Sequence, residues 1–474
     1  MNNKPKILAA LCFCLLIVSN LQIHAQLKSP SNQADYIIIY HPDFQNELSN
    51  FIQWRQSKGL TVQAVNVNDV YLEFNDTASQ EESIREFISY ALNNWQEPKP
   101  QYLLLIGSAM HIPTYKIESE LNIPPYNEDS VSIDEYYVTN KTDVDEIMDM
   151  CIGRFPARTS DELRNMFGKT IQFEDHFNEI NYNYDFLSLA DSSDNGFFTF
   201  SIEHLIDNYL PGNYNIKRIY FQDTSQYKST KSDLFSAIKE GVSIMCFYGH
   251  ANPNVWIKNG IYTSDDFDTS ISSNNPFFFT AATSSQSFAN PDKKSIIEKL
   301  IANYYGGAVA TLAPTGLTLA SLANKFIETF YNTQVNNKSL TIGKAILESK
   351  RSLNPNNIYI KEFTLLGDPA LKFPEKLIAG FMGINIPSSP FNLSAYPNPF
   401  TKKINISFKS KDNSEVELMI YNLKGNVILQ KSILNPVEGL QDVEINLDEI
   451  TSGEYYLILK IGNEMEIEKI IFIK

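Results

Sequence analysis

Short apolar runs alternate with amphipathic stretches through the first part of the chain. Four apolar runs predict buried strands, at 36–40, 61–67, 102–106 and 148–152. Three periodic stretches predict helices, at 44–58, 81–94 and 160–177. Continuous apolar strands separated by helices are typical of a mostly parallel sheet that is covered on both faces, so this part of the chain is predicted to be α/β.

The same alternation continues in a second stretch. Its predicted strands lie at 186–190, 215–220, 242–248, 277–281 and 308–312. Its predicted helices lie at 199–209, 231–239, 294–304, 319–332 and 342–352. Ligands of open α/β sheets collect beyond the carboxyl ends of strands, so chemistry is expected in the segments just after Tyr248 and Ala281.

The pattern changes after a proline-rich stretch at 374–400. Beyond it the helical period disappears, and three segments alternate or run apolar between glycine turns, at 415–418, 443–447 and 455–461. Short strands over about 80 residues predict a small β-sandwich. The chain is therefore predicted to end in a separate all-β domain.

The first 25 residues are typical of an export signal. Lys4 and Lys6 form a basic start, residues 7–18 form an apolar core, and residues 23–25 offer a cleavage site. Cys12 could instead be read as a lipid-anchor cysteine, but the bulky Leu11 before it disfavours that reading. We expect the chain to be exported and, since no other run of 18 apolar residues exists, to lack a transmembrane segment after cleavage.

Composition narrows the class of protein. The 474 residues are 43% hydrophobic, 12% aromatic and 20% charged, which is typical of a folded globular chain. The formal net charge of −16 repels phosphate backbones, so nucleic acid is not an expected partner. Cys151 and Cys246 remain after export; one disulfide is possible, but both lie in apolar strand-like runs, which favours two free buried thiols.

Motifs in the tail resemble the sorting domain of type IX secretion in the Bacteroidetes. They are, in order, YPNPF at 396–400, IYNLKG at 420–425, SGEYY at 452–456 and KII at 469–471. The resemblance implies a domain over 396–474 that directs the chain through the periplasm and across the outer membrane. The resemblance also implies that the type IX secretion machinery is a partner. After export, the rest of the chain is then either released or held at the cell surface.

Motifs in the α/β region resemble the gingipain family of cysteine peptidases. They are WRQSKG at 54–59, YLLLIG at 102–107, IP at 112–113, IGRFPA at 152–157, YGH at 248–250, GGA at 306–308 and LGDPAL at 366–371. The resemblance implies a caspase-like α/β fold, predicted here as two subdomains, 26–183 and 184–376, and the prolines that follow predict a linker at 377–395. The resemblance also implies proteolysis by a Cys–His dyad, with calcium as the one cofactor that the family suggests; no other cofactor is indicated.

The resemblance assigns the site residues and reveals that one is missing. His250, after the strand 242–248, occupies the family's histidine position, and Gly249 and Ala251 flank it as backbone groups for an oxyanion. The cysteine position, counted back from Phe288, holds Thr283. Further departures from the family pattern lie at Ala251, Gln286 and Ser108. Several departures at one site suggest relaxed constraint.

Replacement groups are available in the sequence. Ser284 and Ser285 are alternative nucleophiles beside Thr283, although no G-x-S-x-G elbow supports them and loop serines commonly satisfy backbone groups. Asp149 and Asp134 match acidic positions of the family and are candidates to orient His250, or are solvated surface carboxylates. No metal-ligating pattern such as His-Glu-x-x-His is present, so the metal content stays open.

Three interpretations follow from the sequence. The first is a secreted gingipain-like protein with a degenerate peptidase site, which acts as a surface binder of a peptide or protein ligand or as an assembly partner. The second is an active peptidase that uses a serine or threonine as nucleophile. The third is a structural or adhesive surface protein that shares only the fold. A pocket lined by His250, Trp256 and the loop 283–287 is expected under the first two.

Overall fold

The computed structural model describes residues 26–473 with internal gaps. The gaps are 120–121, 124–125, 128–129, 140–146, 192–195, 222–226, 258–261, 271–274, 282–287, 305, 319, 338–339, 354–356, 375–376, 378–390, 392, 398–399, 411–414, 423–425, 434–438, 448–449 and 463. The predicted export signal at 1–25 and most of the predicted linker at 377–395 therefore lie outside the described residues.

Strands and helices alternate through the first half of the α/β region. The strands are β1 (Tyr36–Tyr40), β2 (Val62–Asn66), β3 (Tyr102–Ile106), β4 (Tyr115–Glu118), β5 (Asn122–Ile123), β6 (Tyr126–Asn127), β7 (Ser130–Ile133) and β8 (Cys151–Phe155). The helices are α1 (Leu48–Ser57), α2 (Val67–Glu73), α3 (Gln80–Asn94) and α4 (Ser160–Asp175), with 3-10 turns at Pro42–Glu47, Glu135–Val138 and Phe177–Glu179.

The second half continues this pattern. The strands are β9 (Tyr184–Asp191), β10 (Ile216–Phe221), β11 (Val242–Tyr248), β12 (Ala251–Asn252), β13 (Val255–Trp256), β14 (Tyr262–Thr263), β15 (Pro276–Ala281), β16 (Gly307–Pro314) and β17 (Phe363–Leu366). The helices are α5 (Phe197–Tyr209), α6 (Tyr227–Glu240), α7 (Ser264–Ser270), α8 (Ile296–Ala302), α9 (Ala320–Asn336), α10 (Ile342–Ser352) and α11 (Ile358–Lys361).

One continuous sheet organises the α/β region. Its ten described strands follow the order β10-β9-β11-β15-β16-β17-β8-β3-β1-β2. The strands β1, β2, β3 and β8 run parallel to one another, and β9, β10, β11, β15 and β16 do the same. The predicted α/β fold with a mostly parallel sheet is confirmed, and strands from both predicted subdomains share the one sheet.

The strand β17 joins these two parallel blocks. It runs antiparallel to β16 and parallel to β8, which it meets at the pair Leu366 and Arg154. The two blocks therefore run in opposite directions, and the carboxyl ends of β1 and β3 lie at the opposite edge of the sheet from those of β9 and β11. The apolar periodicity did not predict β17, because four residues are too few to show a period.

A buried ion pair holds the loops after β3 against β8. Arg154 is fully buried, and its Nε and Nη2 donate to the two carboxylate oxygens of Asp134 at 2.6 and 2.8 Å. Its remaining N–H groups donate to the carbonyl oxygens of Gly107, Ile112 and Pro113. All five guanidinium donors are thus satisfied, which a buried arginine requires.

A second buried arginine connects α1 to the end of the α/β region. Arg55 Nε donates to Asp368 at 2.7 Å, and its Nη1 donates to Glu174 at 3.1 Å. The Tyr36 hydroxyl donates to the other oxygen of Asp368 at 2.8 Å. Two of the motifs that carried the resemblance, WRQSKG and LGDPAL, therefore meet in one buried network that stabilises the fold.

The tail forms the predicted small β-sandwich. Its strands are β18 (Ser394–Tyr396), β19 (Lys403–Ser410), β20 (Val416–Asn422), β21 (Val427–Ile433), β22 (Gly439–Asn446), β23 (Gly453–Ile461) and β24 (Glu464–Phe472). They form one sheet of order β18-β19-β22 and another of order β21-β20-β23-β24, with an apolar core between them. On its outer face the second sheet places the ring of Tyr421 5.6 Å from Phe197 of α5.

The Arg154–Asp134 pair predicts a large loss of stability when it is broken. Asp134→Ala leaves a buried guanidinium without its counter-charge, so we expect the free energy of unfolding to fall by about 3–5 kcal/mol. The exposed pair of Asp161 and Arg164 provides the control, and Asp161→Ala is expected to cost less than about 1 kcal/mol. Urea unfolding followed by tryptophan fluorescence measures both; equal costs for the two variants would contradict a structural role for Asp134.

Candidate active site

The register of two neighbouring strands defines the candidate site. The strands β9 and β11 pair in parallel, with Ala190 opposite Tyr248. The next residue of β9 is Asp191, and the next two after β11 are Gly249 and His250. Both chains leave the sheet at its carboxyl edge, where ligands of α/β proteins are expected.

Asp191 is the carboxylate partner of His250. Its Oδ2 lies 3.0 Å from His250 Nδ1, and its side chain is fully buried whereas the imidazole is 43% exposed. An ionised carboxylate can only accept a hydrogen bond, so Nδ1 carries the proton and Nε2 is the nitrogen that can take a proton from a substrate or nucleophile. This is the orientation in which a histidine acts as general base.

Gly249 allows this close approach. A Cβ atom at position 249 would lie 2.8 Å from Asp191 Cβ and 2.8 Å from Cε2 of the Phe247 ring. Real Cβ atoms do not come that close to a neighbouring carbon, so a larger residue would push β9 and β11 apart at this point. The glycine before the histidine thus has a packing role, and the prediction that Gly249 and Ala251 supply oxyanion donors stays a prediction.

The segment after His250 is held by backbone and aromatic contacts. The Ile257 N–H donates to the His250 carbonyl oxygen at 2.8 Å, and Ile257 has a φ of 65°, which is rare for a β-branched residue. The ring of Phe198, from α5, packs edge-on against the imidazole with centroids 5.2 Å apart. The first contact holds the backbone of His250, and the second packs against its ring.

Trp256 does not line an open pocket, contrary to the expectation from sequence. Its ring is fully buried and stacks between Phe247, at 5.1 Å, and Phe279, at 5.2 Å between centroids. Inside the core, the stacked ring of Trp256 removes more apolar area from water than it would at the wall of an open pocket. This explains why the ring points inward.

The predicted nucleophile positions lie outside the described residues. The strand β15 lies beside β11 on the side opposite β9, with Ala281 opposite Phe247. The chain therefore leaves β15 at the same edge as His250, and Thr283, Ser284 and Ser285 come two to four residues later. Their role at this edge stays a prediction.

Neither predicted acidic partner lies beside His250. Asp134 binds Arg154 of β8, in the other parallel block of the sheet. Asp149 precedes β8, which is four strand intervals from β11, or about 19 Å at the usual spacing of ~4.8 Å. Asp191 replaces both. The sequence did offer a sign of this role, because Asp191 directly follows the predicted strand 186–190. Functional groups are expected beyond the carboxyl end of β9 just as they are beyond that of β11.

Comparisons with known proteins agree with this fold. Residues 29–374 match the peptidase family C25, and residues 394–474 match the secretion system C-terminal sorting domain. The first match covers well over half of the chain. The chain belongs to peptidase family C25. Its α/β region is thus a gingipain-type domain, followed by a sorting domain of the type IX class.

Individual relatives of this C25 domain come from Porphyromonas gingivalis. Gingipain R2 is 23% identical over 255 residues, which is 52% of this chain and 31% of gingipain R2. Gingipain R1 is also 23% identical over 255 residues, which is 23% of its own length. The chain therefore spans less than a third of the length of these relatives.

Solved structures show the same fold. The complex of the RgpB pro- and mature domains from Porphyromonas gingivalis has a TM-score of 0.56 at 17% identity, with 92% of this chain and 99% of that chain covered. The crystal structure of the Arg-specific cysteine proteinase gingipain R has a TM-score of 0.55 at 17% identity, with 94% and 98% covered. At this identity the likeness establishes the fold.

The two cysteines of the C25 domain are free and buried, as predicted. Burial raises the pKa of Cys151 to about 12 and that of Cys246 to about 12. Cys246 lies four strand residues before His250, a distance of about 13 Å at ~3.3 Å per residue. Neither thiol is therefore placed to act as a nucleophile with His250.

Calcium, which the family suggests, needs a cluster of oxygen ligands. Among the described residues one group of three His, Cys, Asp or Glu side chains has its ligand atoms close together: His41, Asp43 and His111. Calcium takes six to eight oxygen ligands, whereas this group offers two imidazole nitrogens and one carboxylate. The group does not suit calcium.

Thiol labelling checks the environment of the two cysteines. A buried thiol with a raised pKa is almost never a thiolate at neutral pH, so iodoacetamide should modify neither site in the native protein and both after unfolding in guanidinium. Gln56→Cys, at an exposed position of α1, is the positive control and should be labelled in the native state. Mass spectrometry counts the adducts; rapid native labelling of Cys246 would contradict the buried assignment.

Proposed function

We propose that this chain is an exported gingipain-family protein whose peptidase site has kept its histidine and carboxylate and lost its nucleophile. It binds a peptide or protein segment at that site, at the cell surface or as an assembly partner. The observation that supports the proposal is that a histidine–carboxylate pair is present while the expected cysteine is not. Asp191 and His250 keep the geometry of a general base, and the sequence position of the family's cysteine holds Thr283.

The chemistry of threonine supports loss of catalysis. A thiol beside a histidine ionises near neutral pH, whereas an alcohol ionises far above it and needs strong activation to attack a carbonyl. Thr283 also lacks the N-terminal amine that activates threonine in known threonine hydrolases, and its branched side chain restricts χ1. Substitution of the cysteine by threonine therefore removes the step that begins proteolysis.

A retained general base would still serve ligand binding. An imidazole that is 43% exposed and held by a buried carboxylate presents one fixed polar group at the edge of the sheet. Peptide recognition uses such fixed groups, since preorganised donors and acceptors lose little entropy on binding. Because Nδ1 of His250 is bonded to Asp191, Nε2 is the ring nitrogen that can accept a hydrogen bond from an N–H or O–H group of a ligand.

The orientation of His250 also favours a second candidate function, an active hydrolase with an alcohol nucleophile. A serine hydroxyl needs a base that is itself oriented by a carboxylate, and Asp191 supplies that orientation. Ser284 and Ser285 are then the alternatives to Thr283. This candidate differs from the first in a measurable way, because it requires turnover.

Turnover by the unaltered protein separates the two candidates. We expect residues 26–474 to cleave neither denatured casein nor fluorogenic peptides above the background set by His250→Ala, because the alcohol of Thr283 ionises far above neutral pH. The release of fluorophore over hours measures this. Clear turnover that is abolished by His250→Ala and by Thr283→Ala would contradict the proposal. Turnover abolished instead by Ser284→Ala or Ser285→Ala would establish a serine hydrolase.

We also infer export by type IX secretion from the tail. The sorting domain at 394–474 is the feature that supports it. None of the described helices combines the length and the hydrophobicity that a membrane span requires. The protein is thus expected to be released or held at the cell surface after passage through the periplasm.

Removal of the tail tests this route. A chain that ends at residue 395 keeps the α/β core, because that core is built from the ten-stranded sheet and its helices, and should fold and remain in the periplasm. Cell fractionation with immunoblotting compares it with the full chain. Normal amounts of the shortened protein in the medium or on the surface would contradict export through the tail.

A further inference from the structure

Three potential metal ligands meet at the other edge of the sheet. His41 follows β1 directly, Asp43 lies two residues later, and His111 lies in the turn after β3. The strands β1 and β3 are neighbours with Tyr40 opposite Ile106, so their loops leave the sheet side by side. One ligand atom from each of the three side chains lies within 4.8 Å of the others.

The spacing of one pair of these atoms fits a small, tetrahedral metal ion. His41 Nδ1 lies 3.4 Å from Asp43 Oδ2. Two ligand atoms bound to zinc at about 2.0–2.1 Å with a tetrahedral angle lie about 3.3 Å apart, which is nearly this distance. The Asp43 N–H also donates to His41 Nδ1 at 3.4 Å, a long hydrogen bond that a metal ion on Nδ1 would replace.

His111 is held in the orientation of a ligand. Its Nδ1 is bonded to the hydroxyl of Ser108 at 2.9 Å, which leaves Nε2 as its ligand nitrogen. Metal-ligating histidines are commonly fixed by such a bond from the second ring nitrogen. Gly107 permits the turn, since a Cβ there would lie 2.7 Å from His111 Cβ. The Ser108 position, where the sequence departs from the family pattern, thus has a role beside His111.

The surroundings of the three side chains combine an exposed anion with an apolar wall. Asp43 is 69% exposed and supplies the negative charge. The buried ring of Phe44 lies 5.0 Å from His111 and forms an apolar wall on one side. Two imidazoles and one carboxylate form a ligand set that zinc and related divalent ions prefer.

We propose that His41, Asp43 and His111 bind one zinc-class divalent cation, with water in a remaining position. The ion joins the loops after β1 and β3 and stabilises that edge of the sheet. It is separate from the His250 site, because β1 is six strand intervals from β11, about 29 Å, and its carboxyl end faces the opposite edge. The proposal is thus independent of the proposed function.

Titration of the metal alone tests the site. Residues 26–474, made without a histidine tag and stripped with EDTA, should bind one equivalent of Zn²⁺ in calorimetry and gain at least about 3 °C in Tm at saturating zinc. Co²⁺ should give the visible absorption of a site with nitrogen ligands, and Ca²⁺ should not compete. No zinc binding at 100 µM protein, or equal binding of calcium, would overturn the proposal.

Single substitutions assign the ligands. His41→Ala, His111→Ala and Asp43→Asn should each weaken zinc binding by at least about tenfold. His176→Ala is the matched control, because His176 is an exposed histidine that also pairs with a carboxylate, that of Glu179, and its loss should change nothing. Circular dichroism checks that each variant is folded. If all three ligand variants bind zinc like the unaltered protein, the assignment is wrong.

Discussion

The parallel pairing of β9 with β11 is the interaction on which the candidate site depends. It brings the carboxyl ends of the two strands together, so that a buried carboxylate lies within hydrogen-bond distance of an exposed imidazole. The pairing can be this close only because position 249 carries no Cβ. A buried charge is stable only with a partner, so Asp191 and His250 also stabilise each other's positions. The register of β9 against β11 thus determines that Asp191 and His250 meet.

The family motifs have mainly structural roles in this chain. Arg154 and Asp134 form a fully satisfied buried pair, and Arg55 and Asp368 connect the start of the α/β region to its end. These groups determine whether the domain folds, and they are intact. The departures from the family pattern lie instead around the predicted nucleophile and in the turn after β3. The proposed loss of catalysis with retention of the fold would produce this pattern.

The sequence predicted the fold more completely than it predicted the candidate site. Continuous apolar strands such as β11 and amphipathic helices such as α4 are easily recognised in the sequence, and the alternating segments between glycine turns predicted the sandwich of the tail. The partner of His250 was missed, because a carboxylate 59 residues away along the chain becomes a neighbour only through strand order, which periodicity does not contain. Trp256 was misplaced for a related reason: an aromatic residue near a candidate histidine suits a pocket or a core equally until its stacking partners are known.

The central claim is that the site is complete except for its nucleophile. Restoring the thiol tests this most directly, by the rate at which a peptidyl chloromethyl ketone alkylates residue 283 in Thr283→Cys at neutral pH, followed by intact-mass spectrometry. The account predicts that Thr283→Cys reacts at least about tenfold faster than the same variant combined with His250→Ala or with Asp191→Ala, since the oriented imidazole generates the thiolate. Equal rates in all three proteins would contradict it, because the histidine and carboxylate would then have no influence at the nucleophile position.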